Sequence, residues 1–139
     1  MSEELAGPLD ETVLRSIHVQ LDGDRRFGDV EFKPSIDNLR KVSASYDPVA
    51  YPPQIVSTRL DIRWTTVGDF SIHYVEEWEQ DDRWECRWDK HPKDVGRQHF
   101  HPPPDAGKAD PTELPTDYRS MMSVVLVYVS ERIAETWDE

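Results

Sequence analysis

Hydrophobic and polar residues alternate with a period of two over three consecutive stretches in the middle of the chain. The stretches cover residues 55–66, 70–77 and 83–89, and polar turns at residues 67–69 and 79–82 join them. The apolar side carries Val56, Leu60, Ile62, Trp64, Phe70, Ile72, Tyr74, Trp84, Cys86 and Trp88. The other side carries Arg59, Asp61, Arg63, His73, Glu77, Arg83, Glu85, Arg87 and Asp89. This pattern predicts an antiparallel meander with one apolar and one polar face.

Shorter patterns extend the sheet on both sides. Residues 41–46 alternate and predict one more strand, while residues 97–101 predict a short strand after the break at His91-Pro92. The three prolines at 102–104 lack the N–H donors of a strand ladder, so we expect all pairing to end there. Residues 102–115 are then a proline-rich loop.

Two helices are predicted at the ends of the chain. Asp10-Glu11-Thr12 marks a helix start, Leu14, Ile17, His18 and Leu21 follow at helical spacing, and residues 22–24 mark the end. Thr116 or Asp117 caps a second helix, whose apolar stripe is Met122, Leu126, Val129, Ile133 and Trp137. The predicted fold is one α+β domain over residues 1–139. It consists of an antiparallel meander of about four to five strands with the N- and C-terminal helices packed on one face.

The charge balance suggests a salt-adapted surface. Acidic residues outnumber basic ones 28 to 16, the net charge is −12, and the acids are spread along the chain. The acidic side chains repel one another at ordinary ionic strength, and molar salt screens this repulsion because the Debye length falls to about 3 Å. An ordinary acidic protein is the alternative. Because counterion release contributes little to binding in molar salt, the acidity is weak evidence against a nucleic-acid ligand.

Other features restrict the class of protein. The first residues lack a basic stretch followed by an apolar run, no apolar stretch is long enough to span a membrane, and Cys86 is the single cysteine. We therefore expect a cytoplasmic protein without a membrane segment. Phosphate-loop glycines, a G-x-S-x-G elbow and paired C-x-x-C motifs are absent, and no cofactor is expected.

The polar face of the meander carries the candidate chemistry. His99 and His101 are two residues apart on a short strand and point to one side. Arginines on such a face bind a phosphodiester and histidines transfer protons. The alternative is a solvated face of ion pairs, each contributing about 0–1 kcal/mol.

A metal site is a weaker interpretation of the same region. His91, His99 and His101, with Asp89 nearby, have strand spacing that suits metal ligands. However, H-x-H occurs often by chance and no fourth ligand is fixed, so no metal is expected. The alternative is a structural role, in which these histidines close the end of the sheet by hydrogen bonds to carboxylates such as Asp89.

Three segments carry a family resemblance: residues 68–76, residues 84–92 and residues 99–105. They resemble a group of small haloarchaeal proteins and, more distantly, the TumE-type toxins of toxin–antitoxin modules. The shared features are a strand ending in R-[YW]-D (Arg87-Trp88-Asp89), a His-Pro turn (His91-Pro92) and a downstream H-x-H (His99 and His101). The resemblance covers about residues 55–137. The family's Asn-Ala-Pro-His stretch is replaced here by Lys90-His91-Pro92, so no role of that Asn transfers.

The resemblance implies a toxin-like protein that a cognate antitoxin, of helix-turn-helix type, neutralises. We expect the substrate to be RNA and the reaction to be its cleavage. In this hypothesis His99 and His101 act as acid and base and Asp89 orients a histidine. The substrate-binding residues are Arg63, Arg87 and His73. The alternative is a non-enzymatic domain that binds a protein through the polar face of its sheet.

Overall fold

The computed structural model describes residue 5, residues 7–91 and residues 98–138. The helices are α1 (Glu11–Asp22) and α2 (Tyr118–Thr136). The strands are β1 (Phe27–Pro34), β2 (Leu39–Tyr46), β3 (Ile55–Trp64), β4 (Phe70–Trp78), β5 (Arg83–Lys90), β6 (Gln98–His101) and β7 (Asp110–Pro111). All seven strands form one sheet in sequence order, and each neighbouring pair is antiparallel. The α+β class and the meander are confirmed.

The predicted number of four to five strands is wrong. The strand predicted at residues 41–46 is the main part of β2, and β6 occupies most of the stretch predicted at 97–101. The break at Pro92 and the start at Arg97 lie outside the described residues. The two additional strands are β1, whose alternation is interrupted by a register shift between Phe27 and Asp29, and β7, which has two residues. β1 does carry a short period-two pattern, with Val30 and Phe32 between charged residues, which the sequence prediction overlooked. β7 is too short to give such a signal.

The prediction that three prolines end all pairing is also wrong. The Glu85 N–H donates to the Pro104 carbonyl at 2.8 Å, and Glu85 forms a parallel bridge with Asp105. Proline lacks the donor but keeps its carbonyl acceptor. The loop therefore lies along the edge of β5 beyond the end of β6, and the chain then returns to pair β7 with β6.

The apolar side of the sheet forms the core with both helices. Leu14, Ile17 and Leu21 of α1 are buried, as are Met122, Leu126 and Val129 of α2. The His18 ring of α1 stacks on Phe32 of β1, with ring centroids 4.2 Å apart. Tyr128 of α2 lies edge-on to Trp88 at 5.3 Å, and it also contacts Phe100. Asp10 and Asp117 cap the two helices by accepting backbone N–H bonds.

Two residues assigned to the core are exposed instead. Val56 faces solvent because a register shift between Ile55 and Ser57 turns that part of β3 over. Trp137 follows the last turn of α2, and its indole N–H donates to the Ala50 carbonyl at 2.9 Å. Cys86 is buried as expected, and burial raises the pKa of its thiol. Among the described helices, none is long and apolar enough to cross a bilayer.

Candidate functional site

The strand register gathers the polar residues into two adjacent rows across the sheet. The first row is Ser43, Asp61, His73, Arg87 and His101, running from β2 to β6. The second row is Arg63, Ser71, Asp89 and His99, running from β3 to β6. Cross-strand neighbours on one face lie about 5 Å apart. All six residues predicted to form the site therefore fall within these two rows.

A cleft of about 840 Å³ lies over the rows. Its described walls come from strands β2 to β5 and from the segment that precedes α1. That segment is attached to the sheet, because Leu9 pairs with Thr65 and the Thr66 N–H donates to the Pro8 carbonyl at 2.9 Å. The lining residues are Leu5, Gly7, Leu9, Arg40, Lys41, Asp61, Arg63, Thr65, Ser71, His73, Arg87, Asp89 and His91. Four predicted site residues are among them, whereas His99 and His101 are buried and outside this set.

The cleft is locally cationic. Four side chains that line it are basic, namely Arg40, Lys41, Arg63 and Arg87, against the two carboxylates of Asp61 and Asp89. Within the described part of the chain, Arg40 and Arg63 are exposed and form no ion pair. This charge contrasts with the net charge of −12 for the whole chain. The cleft is therefore suited to an anionic ligand, which the rest of the surface repels.

Arg87 and Asp89 line the cleft and form a compact cluster with the buried His101 behind them. The Asp89 Oδ2 atom accepts a hydrogen bond from Arg87 Nε at 2.8 Å and lies 3.0 Å from His101 Nε2. Arg87 Nη2 lies 3.3 Å from the same histidine nitrogen. The Asp89 side chain is 2 % exposed and that of His101 is 4 %, whereas 26 % of Arg87 is exposed. Asp89 thus fixes a guanidinium whose outer part reaches the cleft.

His73 forms a second pair, with Glu85. His73 Nε2 lies 2.7 Å from Glu85 Oε1, and 24 % of the His73 side chain is exposed. Burial lowers the pKa of His73, although Glu85 acts in the opposite direction through its hydrogen bond and charge. The Arg87 charge lowers this pKa further. The environment therefore favours a neutral imidazole at the cleft surface.

Asp61 connects three side chains at the β2–β3 side of the cleft. It accepts hydrogen bonds from Ser43 Oγ at 2.7 Å, Arg59 Nε at 3.0 Å and Lys41 Nζ at 3.2 Å. Burial by itself raises the pKa of Asp61, but the bonds from Ser43 and Arg59 and the charge of Lys41 outweigh it. The net result is a lowered pKa, so the carboxylate is ionised at neutral pH.

The remaining histidines pack against one another. The His91 ring centroid lies 4.9 Å from that of His99, and the His99 centroid lies 6.2 Å from that of His101. His91 lines the cleft, and His99 is the cross-strand neighbour of Asp89. In the described ranges, no group of three or more His, Cys, Asp or Glu side chains is arranged to hold a metal ion.

The comparison with known proteins identifies the family. A family model described as Toxin TumE matches residues 22–133. The chain belongs to the TumE toxin family. The match confirms the resemblance to TumE-type toxins and begins earlier than the expected residue 55, so it includes all seven strands. No curated protein and no solved structure matches this chain. TumE membership establishes a toxin-like function in general terms.

Sequence reasoning missed several residues that line this TumE-family cleft or bond to its lining, among them Lys41 in the lining, Ser43 bonded to Asp61 and Glu85 bonded to His73. Lys41 and Ser43 lie in a predicted strand, where the apolar residues have even numbers. This alternation could have placed both residues on the polar face, next to Asp61 of β3. Glu85 was placed on the polar face, but its pairing with His73 depends on the β4–β5 register. The segment before α1 gives no signal, because its bridge from Leu9 to Thr65 joins residues far apart in sequence.

Proposed function

We propose that this TumE-family toxin cleaves RNA in the cationic cleft over strands β2 to β5. The observation that carries the proposal is the fixed guanidinium of Arg87, which Asp89 holds at 2.8 Å at the bottom of the cleft. An ordered guanidinium in a cleft with excess positive charge is suited to a phosphodiester, because charge-assisted hydrogen bonds to phosphate are strong and directional.

Arg63 and Arg87 are the proposed phosphate-binding residues. Arg63 is in the row next to Arg87, and both side chains line the cleft. Arg40 extends the same positive surface toward β2. Two or three cations along one wall bind successive phosphates of a single strand without reading its bases. The proposed substrate is therefore single-stranded RNA with little base preference.

The proposed acid–base chemistry centres on His101. Its Nε2 atom is 3.0 Å from Asp89 Oδ2, so Asp89 orients the ring next to the Arg87 guanidinium. A histidine near a bound phosphate transfers protons to or from the reacting oxygens. His99, expected in the same role, is the cross-strand neighbour of Asp89, and its ring lies next to those of His91 and His101. Of the two, His101 has the more direct connection to the phosphate-binding arginine.

Incubation of the purified protein with a labelled single-stranded RNA tests this proposal, with DNA of the same sequence in parallel. Arg87→Lys keeps the charge but removes the planar guanidinium. We expect its cleavage rate to fall about 10- to 100-fold, in line with about 1.5–3 kcal/mol for hydrogen bonds to charged groups. Arg25→Lys is the matched control, because Arg25 is exposed and outside the cleft lining.

Absence of RNA cleavage by folded wild-type protein would contradict the enzymatic proposal. If Arg87→Lys then still reduced toxicity in cells, the non-enzymatic protein-binding interpretation of the polar face would explain the effect. Toxicity and cleavage lost together in Arg87→Lys, and retained together in Arg25→Lys, would support RNA cleavage.

Membership of a toxin family implies an antitoxin partner in general terms. We propose that this partner is a small helix-turn-helix protein encoded next to the toxin. Co-expression should then suppress toxicity, and the two proteins should purify as one complex that binds the DNA upstream of their genes. An adjacent gene product that neither suppresses toxicity nor copurifies would exclude it as the antitoxin.

A further inference from the structure

Two histidines stand on either side of Arg87 in one row of the sheet. His73 on β4 is the direct cross-strand neighbour of Arg87 on β5, and Arg87 is in turn the neighbour of His101 on β6. Strands lie about 4.8 Å apart, so the backbones of the two histidines are about 10 Å apart with the guanidinium between them. This arrangement places one imidazole on each side of the Arg87 guanidinium, which is the proposed phosphate-binding group.

Each of these histidines faces its own carboxylate through Nε2. The partner of His73 is Glu85, at 2.7 Å, and that of His101 is Asp89, at 3.0 Å. An ionised carboxylate can only accept, so His73 must donate its Nε2–H to Glu85. The neutral tautomer then has its lone pair on Nδ1. Glu85 thus fixes which nitrogen of His73 is basic.

The two pairs differ in access to the cleft. His73 lines the cleft and has 24 % of its side chain exposed, whereas His101 has 4 % and is reached past Arg87 and Asp89. Ser71 and Asp61, which flank His73 on the cleft wall, are not bases of comparable strength at neutral pH. Of the two described histidines that line the cleft, His73 is the more accessible, with 24 % of its side chain exposed, whereas His91 is 2 % exposed.

We infer that His73, oriented by Glu85, is the general base of the reaction, and that the substrate class is RNA with a free 2′-hydroxyl at the cleavage site. This assignment rests on the proposed function and gives His73, which the sequence analysis expects to bind substrate, a catalytic role instead. His73 Nδ1 takes the 2′-hydroxyl proton while the 2′-oxygen forms a bond to phosphorus. The bond from phosphorus to the 5′-oxygen breaks, and that oxygen takes a proton from His101. The products are a 2′,3′-cyclic phosphate and a 5′-hydroxyl, and water restores both protonation states.

The charges that face His73 are consistent with this role. Glu85 and Arg87 face it from β5 and Asp61 faces it from β3, and Glu85 also lies 3.7 Å from Arg83. Burial and Arg87 lower the pKa of His73, while Glu85 and Asp61 raise it. Because the lowering effects win, the neutral base is the main form near pH 7.

The first test compares His73→Gln with His18→Gln, which carries the same change on α1, away from the cleft. We expect the His73 variant to cleave RNA about 10²- to 10⁴-fold more slowly. It should bind a 2′-deoxy analogue, which cannot react, as tightly as the wild type does. The His18 variant should cleave at the wild-type rate once corrected for its folded fraction by circular dichroism.

A substrate with sulfur in place of the 5′-bridging oxygen separates the base from the acid. A thiolate leaves without being protonated, so this substrate should restore cleavage by His101→Gln but not by His73→Gln. Restored cleavage by the His73 variant would make His73 the acid and overturn the assignment.

Glu85→Gln tests the positioning role of Glu85. Loss of the carboxylate removes an influence that raises the pKa of His73. The limb of the pH–rate profile on which cleavage increases with pH should therefore move to lower pH. An unmoved limb would show that Glu85 does not act through His73.

The outcomes also distinguish this assignment from the proposed function. Wild-type cleavage that yields a 2′,3′-cyclic phosphate, together with a fully active His73→Gln variant, would overturn the base assignment alone. Cleavage that leaves a 3′-hydroxyl would also overturn it, since the 2′-oxygen would not be the nucleophile. No cleavage of any RNA by the folded wild type would overturn both.

Discussion

The two faces of the sheet each contain a bonded cluster of arginine and carboxylate, and the surroundings of the two clusters are opposite. On the helix side, Arg132 of α2 makes two parallel bonds to Glu76 of β4, from Nε at 2.9 Å and from Nη2 at 2.8 Å. Both residues are buried. On the other side, Arg87 is bonded to Asp89 but faces the cleft.

The buried pair is surrounded by partners on all sides. The Glu76 carboxylate also accepts from Tyr74 Oη at 2.7 Å and from Trp78 Nε1 at 2.9 Å. The Arg132 guanidinium lies 3.8 Å from the centre of the Trp84 ring. A charged group in this position has no surface to offer a ligand. Its role is to fix α2 against β4 in one orientation.

The open cluster differs because one side of it is left to the cleft. Asp89 has the same bonding role as Glu76, but its arginine and the neighbouring His73 each keep about a quarter of their side-chain surface exposed. The comparison shows that two ion pairs with similar bonding differ in access. One is enclosed, and the guanidinium of the other keeps one side open to the cleft.

The largest expected effect is on the closed cluster. Arg132→Met leaves the Glu76 charge buried without its cation and should lower the free energy of unfolding by about 3–5 kcal/mol. Equilibrium urea unfolding measures this loss. Arg119→Met on the exposed side of the same helix is the control and should stay within about 0.5 kcal/mol of the wild type. If the two variants lost equal stability, the buried pair would not stabilise the fold as described.

The second prediction concerns the histidines of the open face. His101→Gln should lower RNA cleavage by about 10²–10⁴-fold. His99→Phe keeps an aromatic ring between His91 and His101 and should retain most of the activity. Steady-state cleavage rates of the two variants, corrected for the folded fraction, show which histidine has the acid–base role. A larger loss in the His99 variant would return the acid–base role to His99.

A substitution at Asp61 tests whether a carboxylate on the cleft side of the sheet also contributes to stability. Asp61→Asn weakens the bonds from Ser43, Arg59 and Lys41 and should cost about 1–3 kcal/mol at pH 7. The pKa of Asp61 is lowered on folding, so its stabilisation is fully present above the unfolded pKa of about 3.9 and is lost as pH falls through the folded pKa. The difference in unfolding free energy between the wild type and Asp61→Asn should therefore be smaller at pH 3 than at pH 7. If the difference in unfolding free energy were the same at pH 7 and pH 3, the ionised form of Asp61 would not be the cause of the stabilisation.

The last prediction concerns salt, which should stabilise the whole protein strongly and should also separate the two clusters. KCl raised from about 0.1 M to molar concentration screens the net charge of −12, and thermal unfolding should move up by about 3–5 °C for each kcal/mol gained. The penalty of Arg132→Met should hardly change, because salt does not reach a buried pair. A flat or falling midpoint would remove the argument for a salt-adapted surface.

The sequence by itself determined which residues share a face. Side chains of a strand alternate from one side to the other, so odd and even positions of β3, β4 and β5 separate without any knowledge of the partner strand. Helical spacing likewise predicted the buried Leu14, Ile17 and Leu21 of α1, while the structure selects Asp117 over Thr116 as the cap of α2. Arg63, His73, Arg87 and Asp89 share the polar face for this reason, whereas His99 and His101 join it through the pairing of β6 with β5.

Only the tertiary structure decided which of these residues meet. The bond between Glu76 and Arg132 joins positions 56 residues apart, and no local pattern marks either one as a buried charge. The pairing of His73 with Glu85 and the burial of His101 depend on the strand register and on how the chain after β6 lies beside β5. Periodicity is set by the geometry of neighbouring residues in the chain. Contacts between distant residues are set by which strands pair and which helix packs on them, and those choices belong to the whole fold.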